Sequence, residues 1–237
     1  MLKSGAAAGS PCGALRVRVG PAQAMLRPSG ALWVEAARAL VVADLHFEKG
    51  SSYASRGQML PPYDTRETVG RLEREVEATA PSLLIFLGDS FHDRKAHGRL
   101  APEDAARIAA LSVGRTLVWV TGNHDADGPG DLPGEVEAEM MLAGLLLRHE
   151  PERGPQPGEV SGHLHPCAKI RGTGGRVRRK CFLTDGERLI LPAFGAYTGG
   201  LNVLDRAFTG MFGMLPMAAA LGVGRVHAID WRSLAPD

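Results

Sequence analysis

Four apolar stretches of this chain each run straight into side chains able to hold a metal ion. ALVVA leads to Asp44 and His46, LLIFLG to Asp89, TLVWVTG to Asn123, His124 and Asp125, and EVSG to His163 and His165. With only 8 histidines in the sequence, so regular a placement argues for one shared site. Asp44 and His46 stand two residues apart, as do His163 and His165. At a strand end each pair therefore leaves by one face. A carboxylate beside an imidazole suits a divalent cation of the Mn, Fe or Zn type. Asn123 adds a neutral oxygen, and Asp125, next to His124, is placed to orient or charge that ring. His149 closes a further apolar segment and counts only as a member of the set. Taken singly, each motif reads as a surface loop or a packed side chain. Together they read as a metal centre.

Such a centre needs rigid elements behind it. Leu83 to Leu87 is a continuous apolar run stopped by Gly88, the pattern of a parallel strand that delivers Asp89 to a sheet edge. Leu15–Val19, Ala31–Glu35, Ala39–Ala43 and the run from Thr116 also read as strands. Ser51 to Asp64, with Gly57, Pro61 and Pro62, reads as loop for much of its length. Asp64 or Thr65 is the expected N-cap of a helix through Thr79, since Val69, Leu72, Val76 and Ala80 follow helical spacing and Pro81 closes it. Pro102–Leu111 reads as a second helix. Gly128–Gly134 and Pro151–Gly158 read as loops, and the second half of Val136–Leu147 as a strand presenting His149. Short strands at Val177–Leu183, Arg188–Leu191 and Val226–Trp231 call for a second sheet. The fold class is α/β. Residues 1–15 are expected to be a loose tail and 16–237 a single domain, with no internal repeat or linker.

Composition bounds the function. A length of 237 residues allows a substantial core, and 44% hydrophobic with 22% charged residues is ordinary for a soluble domain. The net charge of +1 gives no global attraction to a polyanion, so nucleic-acid contact has to come from a local patch. Cys12, Cys167 and Cys181 form no CxxC pair and read as reduced thiols. No apolar run reaches the ~18 residues of a membrane span, and the N-terminus lacks a signal-peptide core. A cytoplasmic protein is expected.

The ordered blocks DLH (44–46), GDSFHD (88–93), GNHD (122–125), His149 and GHLH (162–165) resemble the calcineurin-like metallophosphoesterase superfamily. That resemblance implies a four-layer fold, two β-sheets packed face to face and flanked by helices, with two divalent metal ions at the strand ends. It implies Asp44, His46 and His165 on one metal, Asn123, His149 and His163 on the other, and Asp89 bridging them. His124 becomes the non-ligand histidine at the transition state, partnered by Asp125. Where many members carry Asp in GDxxD this chain has His92; Asp93 follows directly, so the supporting role falls to either residue. DLHFEKGSSYASRGQMLPPYDTRET (44–68) and LPAFGAYTGGLNV (191–203) further resemble the bacterial ligase-associated DNA damage response endonucleases. This implies manganese as the metal, a DNA phosphodiester as substrate, cut as an endonuclease on single strands in DNA repair, and functional association with a DNA ligase, an exonuclease and a helicase. The rival reading is a metallophosphoesterase for a small diester such as a cyclic nucleotide or nucleotide-sugar.

KIRGTGGRVRRK (169–180) is the informative stretch for a polymer. Arg176, Arg178, Arg179 and Lys180, with Lys169 and Arg171, suit a DNA backbone track just downstream of the histidine pair, or else a solvated hairpin. Tyr53, Phe91 and Tyr197 are few as stacking platforms, which argues against strong base readout.

Overall fold

The computed structural model describes residues 10–237 except 59, 126 and 173. Three strands near the middle of the first sheet decide where chemistry can occur. These are β4 (Ala39–Ala43), β5 (Leu83–Leu87) and β6 (Thr116–Val120). They are parallel and in register, so that Ala43, Leu87 and Val120 end level with one another. β1 (Leu15–Val19), β2 (Ala22–Leu26) and β3 (Leu32–Val34) add an antiparallel edge, and β7 (Glu135–Glu137) completes the order β1-β2-β3-β4-β5-β6-β7.

The second sheet contains β8 (Glu139–Leu142), β9 (Leu145–Arg148), β10 (Glu159–Ser161), β12 (Gly175–Thr184), β13 (Leu189–Ile190), β14 (Met217–Leu221) and β15 (Val226–Ile229). Its order is β15-β14-β12-β13-β10-β9-β8, with β11 (Cys167–Gly172) paired to β12 as a long hairpin. β9 and β10 run parallel and also end level, Arg148 opposite Ser161.

The sheets pack face to face. Val41, Ile85 and Val118 of the first meet Leu147, Val160 and Phe182 of the second in one buried cluster. The other face of the first sheet, with Leu40, Phe86 and Trp119, is covered by α2 (Asp64–Thr79) and α3 (Pro102–Ala110) through Val69, Leu72 and Ile108. On the far side of the second sheet the cover is thinner. Phe208 and Met211 pack there with Leu234, on loops and single 3-10 turns. This is the α/β architecture of two mixed sheets with few helices. No helix among the described residues is long and apolar enough to cross a membrane.

Several local expectations need correction. The loop expected over 51–64 begins as a helix, α1 (Lys49–Ala54). It is tied to α2: Glu48, at its N-cap, accepts from Ser51 Oγ (2.6 Å) and from Thr65 Oγ1 (2.9 Å), and Asp64 accepts from the Gly50 N–H (3.1 Å). For the same reason neither Asp64 nor Thr65 caps α2. Both lie inside it, their side chains already engaged, and Tyr63 holds the cap position. The first half of 136–147 is also strand, and β2, β11 and β14 come in addition to those expected. Of the expected tail, residues 1–9 lie outside the described residues. Ser10–Ala14 form a turn in which the Gly13 carbonyl accepts from the Val226 N–H.

Candidate metal centre

Every residue of the centre sits just past the end of a strand. Asp44 follows β4; Asp89 follows β5 and Gly88; Asn123 and His124 follow β6 by a short turn; His149 follows β9; His163 and His165 follow β10. Because β4, β5 and β6 end level, as do β9 and β10, the loops converge on one edge, the usual place for a site in parallel sheets. The edge is stitched across: Asp44 N donates to Gly88 O, His46 N to Asp89 O, Gly162 N to His149 O, and Gly195 N to Asp44 O.

The backbone there is strained. Asp44, His46, Asp89, His163 and His165 all have φ between 47° and 68°, in the left-handed region that non-glycine residues seldom adopt. Strain of this kind persists where surrounding structure over-determines it, and it gathers at functional sites. The glycines of the motifs serve close approach. A Cβ on Gly88, itself at φ +72°, would lie 2.2–2.4 Å from the His149 ring, and one on Gly162 would lie 2.5 Å from Asp44 Oδ2.

Two carboxylate–histidine triads result, Asp44/His46/His165 and Asp89/His149/His163, the donor atoms of each lying within 4.8 Å of one another. In the first, His165 Nε2 is 3.1 Å from Asp44 Oδ1 and 3.4 Å from His46 Nε2. In the second, His149 Nε2 faces Asp89 Oδ2 at 3.3 Å, His163 Nδ1 at 3.2 Å and Asn123 Oδ1 at 3.0 Å. His149 Nδ1 donates to the Leu87 carbonyl (3.4 Å), which turns the lone pair of Nε2 toward that cluster. Lone pairs converging on lone pairs repel unless a proton or cation lies among them. With one carboxylate and two imidazoles apiece, both triads fit a divalent cation.

Electrostatics agree with that chemistry. Burial, then the neighbouring His165, pushes His46 well below its ordinary value, which favours the neutral imidazole that binds metal. Burial opposes ionisation of Asp89, yet the His149 hydrogen bond and charge, with the His124 N–H, hold it below the usual carboxylate range. His149 is raised: burial works against its charged form, but Asp89 and Asp44 outweigh it. His163 is lowered by burial and by His149.

His124 stands at the mouth, its side chain 43% exposed. Its Nδ1 is 3.0 Å from the His92 carbonyl, which only accepts, so Nδ1 carries the hydrogen. Nε2 then faces the site, 3.9 Å from Asp89 Oδ2. The expected pairing of His124 with Asp125 is absent. Asp125 is buried, and its carboxylate accepts the backbone N–H groups of Gly122 (2.8 Å), Ser90 (2.6 Å) and Phe91 (3.3 Å). It pins the Asp89 turn to the Gly122 turn and leaves the ring of His124 to His92. Burial raises it, with the charge of Asp89 adding.

His92 and Asp93 have parted roles. The His92 ring stacks on His124 at 5.9 Å between centroids and meets His46 edge-on at 5.6 Å. Asp93 turns away to Arg99 (2.8 Å) and the Lys95 N–H (2.9 Å).

The basic stretch is less free than its sequence suggests. Lys180 is no surface cation. Its Nζ donates to Ala193 O (2.9 Å), Gly195 O (2.8 Å) and Thr198 Oγ1 (2.6 Å), and burial, then Arg71, lowers it to about 8. Cross-strand register places it on the same face as Arg176 and Arg178, the inward end of that face. Arg178 is engaged by Asp237 and by Gly200 O, while Arg176 and Arg179 are exposed. Of the stacking candidates, Phe91 is fully buried against Trp119. Sequence reading passed over Arg188, Arg153 and Arg206. A lone arginine in a strand or loop carries no motif, and only the fold shows what each one touches.

Residues 37–189 match the family model described as calcineurin-like phosphoesterase. No curated protein matches the chain. The crystal structure of the nuclease MPE from Pseudomonas putida is similar, at 31% identity and TM-score 0.70, covering 91% of this chain and 100% of that one. YfcE, a phosphoesterase from E. coli, covers 83% of this chain and 99% of its own at 15% identity and TM-score 0.39, too distant to carry an argument. The matched stretch opens just ahead of β4 and closes on β13, taking in both triads and His124. The chain therefore belongs to the calcineurin-like phosphoesterase family, hydrolases of phosphoester bonds that use divalent metals.

Proposed function

We propose that this chain is a two-metal-dependent phosphodiesterase that cuts DNA internally, on single strands, in DNA repair. The observation that carries the reading is the likeness to the Pseudomonas putida nuclease, which runs over nearly the whole of both chains. The open mouth supports it, since exposed Asn123 and His124 sit where a polymer can reach them. In this reading Asp44, His46 and His165 would hold one cation and Asn123, His149 and His163 the other, with Asp89 serving both. Manganese is the expected metal; a ligase, an exonuclease and a helicase are the expected functional companions.

The cations, when bound, supply charge that draws in the phosphodiester and acidifies a water. The chain's own residues do the rest. His124, its Nδ1 hydrogen held by the His92 carbonyl, would act as the imidazolium: the second proton, on Nε2, goes to the leaving oxygen, leaving a neutral ring, and its charge faces the negative charge that gathers on phosphorus. His92 stacks on that ring and limits its swing. Asp125 fixes the two turns that set the distance from His124 to Asp89.

The test is manganese-dependent cleavage of circular single-stranded DNA beside bis-p-nitrophenyl phosphate. A circle has no ends, so its opening establishes internal cutting. If the small diester alone is hydrolysed, the polymer reading fails and a small phosphodiester is the substrate.

A further inference from the structure

Two clefts flank the second triad, and they differ in charge. One, about 630 Å³, is lined by Asn123, His149, Glu139, Glu150, Glu152 and Arg148. Its arginine is spoken for, 2.6 Å from Glu139 and 2.7 Å from Glu152. That cleft turns a polyanion away. The other, about 550 Å³, shares the Glu150–Pro151 rim but has His163 in its wall, with Arg153, Arg206, Leu164 and Met211. Among the described residues neither Arg153 nor Arg206 meets a carboxylate, and both are exposed. The volume falls within the ~300–1,000 Å³ of small-molecule sites.

The second cleft is also built. Arg188, 1% exposed, lies beneath it, with Nε 2.8 Å from Glu159. Its remaining N–H groups donate to Gly154 O (2.8 Å) and Glu152 O (2.5 Å) on one lip and to Met211 O (2.7 Å) on the other. Asp185 accepts from the Gly213 N–H (3.0 Å) and secures the second lip again. A buried guanidinium tying two loops together, each bearing a free arginine toward a gap that ends on a metal-site histidine, is an arrangement for holding something anionic beside that metal.

We propose that this cleft is a nucleotide subsite, resting on the nuclease reading above. It takes the nucleotide adjoining the scissile phosphate: Arg153 and Arg206 meet its phosphate, and Leu164 and Met211 give its base an apolar wall. Arg188 is a positioning residue that sets the gap between the two lips. The β11–β12 hairpin is the weaker candidate for this duty, because Asp237 already engages Arg178 and lies 3.7 Å from Lys169.

The test compares wild type with R153A, R206A, the double variant and the hairpin variant R171A/R176A. Binding of a fluorescein-labelled oligothymidylate is followed by anisotropy across a salt series in EDTA. kcat/KM is measured with manganese for the same oligonucleotide and for bis-p-nitrophenyl phosphate, too small to span the cleft. Removing both cleft arginines should flatten the log–log salt dependence by about 0.7, the slope of one phosphate contact, and each single variant by part of that. The double variant should lower the ratio of oligonucleotide to small-diester kcat/KM about tenfold, one phosphate contact's worth. Unchanged slope and ratio in R153A and R206A, beside an active wild type, overturn the subsite alone. So does a change confined to R171A/R176A, which assigns the polymer to the hairpin. A wild type that neither binds nor cuts the oligonucleotide overturns the nuclease reading and the subsite together.

Discussion

His124 and Asp93 stand close in space and answer to different measurements. The His124 ring makes no hydrogen bond to a triad nitrogen: it meets His46 edge-on at 5.5 Å between centroids and is held from outside by the His92 carbonyl. His124→Ala should therefore lower turnover by about 10²–10⁴ while metal content, read by elemental analysis, stays at the wild-type value. Asp93 supports the loop instead. Burial works against its charge, but Arg99 and the Lys95 N–H hold it at about 2, below its ordinary 3.8. A carboxyl that ionises more readily folded than unfolded stabilises the fold above its unfolded value, and that contribution fades as pH falls through about 4 toward 2. Asp93→Asn should be less stable than wild type at neutral pH, with the gap closing over that acid window in urea melts. A gap independent of pH would mean that Arg99 matters to Asp93 only through shape.

At the scale of elements, the level ends of β4, β5 and β6 make the centre, and the turns after them bear the strain. Gly88→Ala puts a methyl inside the His149 ring and forces a left-handed alanine, at about 1–2 kcal/mol for the backbone alone. The expected result is loss of one metal equivalent, since the second triad depends on His149 while the first does not. β12 gives the opposite lesson. Lys180→Met removes the donor for Ala193 O and Gly195 O, and should cost about 1–3 kcal/mol in denaturant melts without altering the salt dependence of oligonucleotide binding. From sequence Lys180 and Arg179 look alike; only the register of the hairpin shows that one points inward. Fully buried parallel strands were legible because such strands read as unbroken apolar runs. β14 was not, since MAAAL shows neither alternation nor β-branched bulk, and its alanines are buried because the neighbours are large. α1 escaped notice because KGSSYA has little helical preference and is held by Glu48 and Asp64 from outside. The partner of Asp125 was misjudged because adjacency in sequence says nothing about the direction of a side chain at a turn.

Across the whole molecule, each triad draws on both sheets: Asp44 and His46 from the first meet His165 from the second, and Asp89 from the first meets His149 and His163. A bound cation thus clamps the sheets at one edge. Chelation should lower the melting temperature, by the equivalent of about 2.7 kcal/mol per site for free metal at a hundredfold its Kd. His163→Ala should shrink that effect to roughly one site. Equal melting curves with and without chelator would show that the sheets hold their edge unaided.

That division between the sheets also sets a timetable for synthesis. Asp44, His46 and Asp89 are made in the first half of the chain, yet neither triad closes until His163 and His165 have followed, and β13, which pairs with the strand that carries them, comes later still. A chain cut short before His163 therefore carries both carboxylates, Asp44 and Asp89, yet closes neither triad.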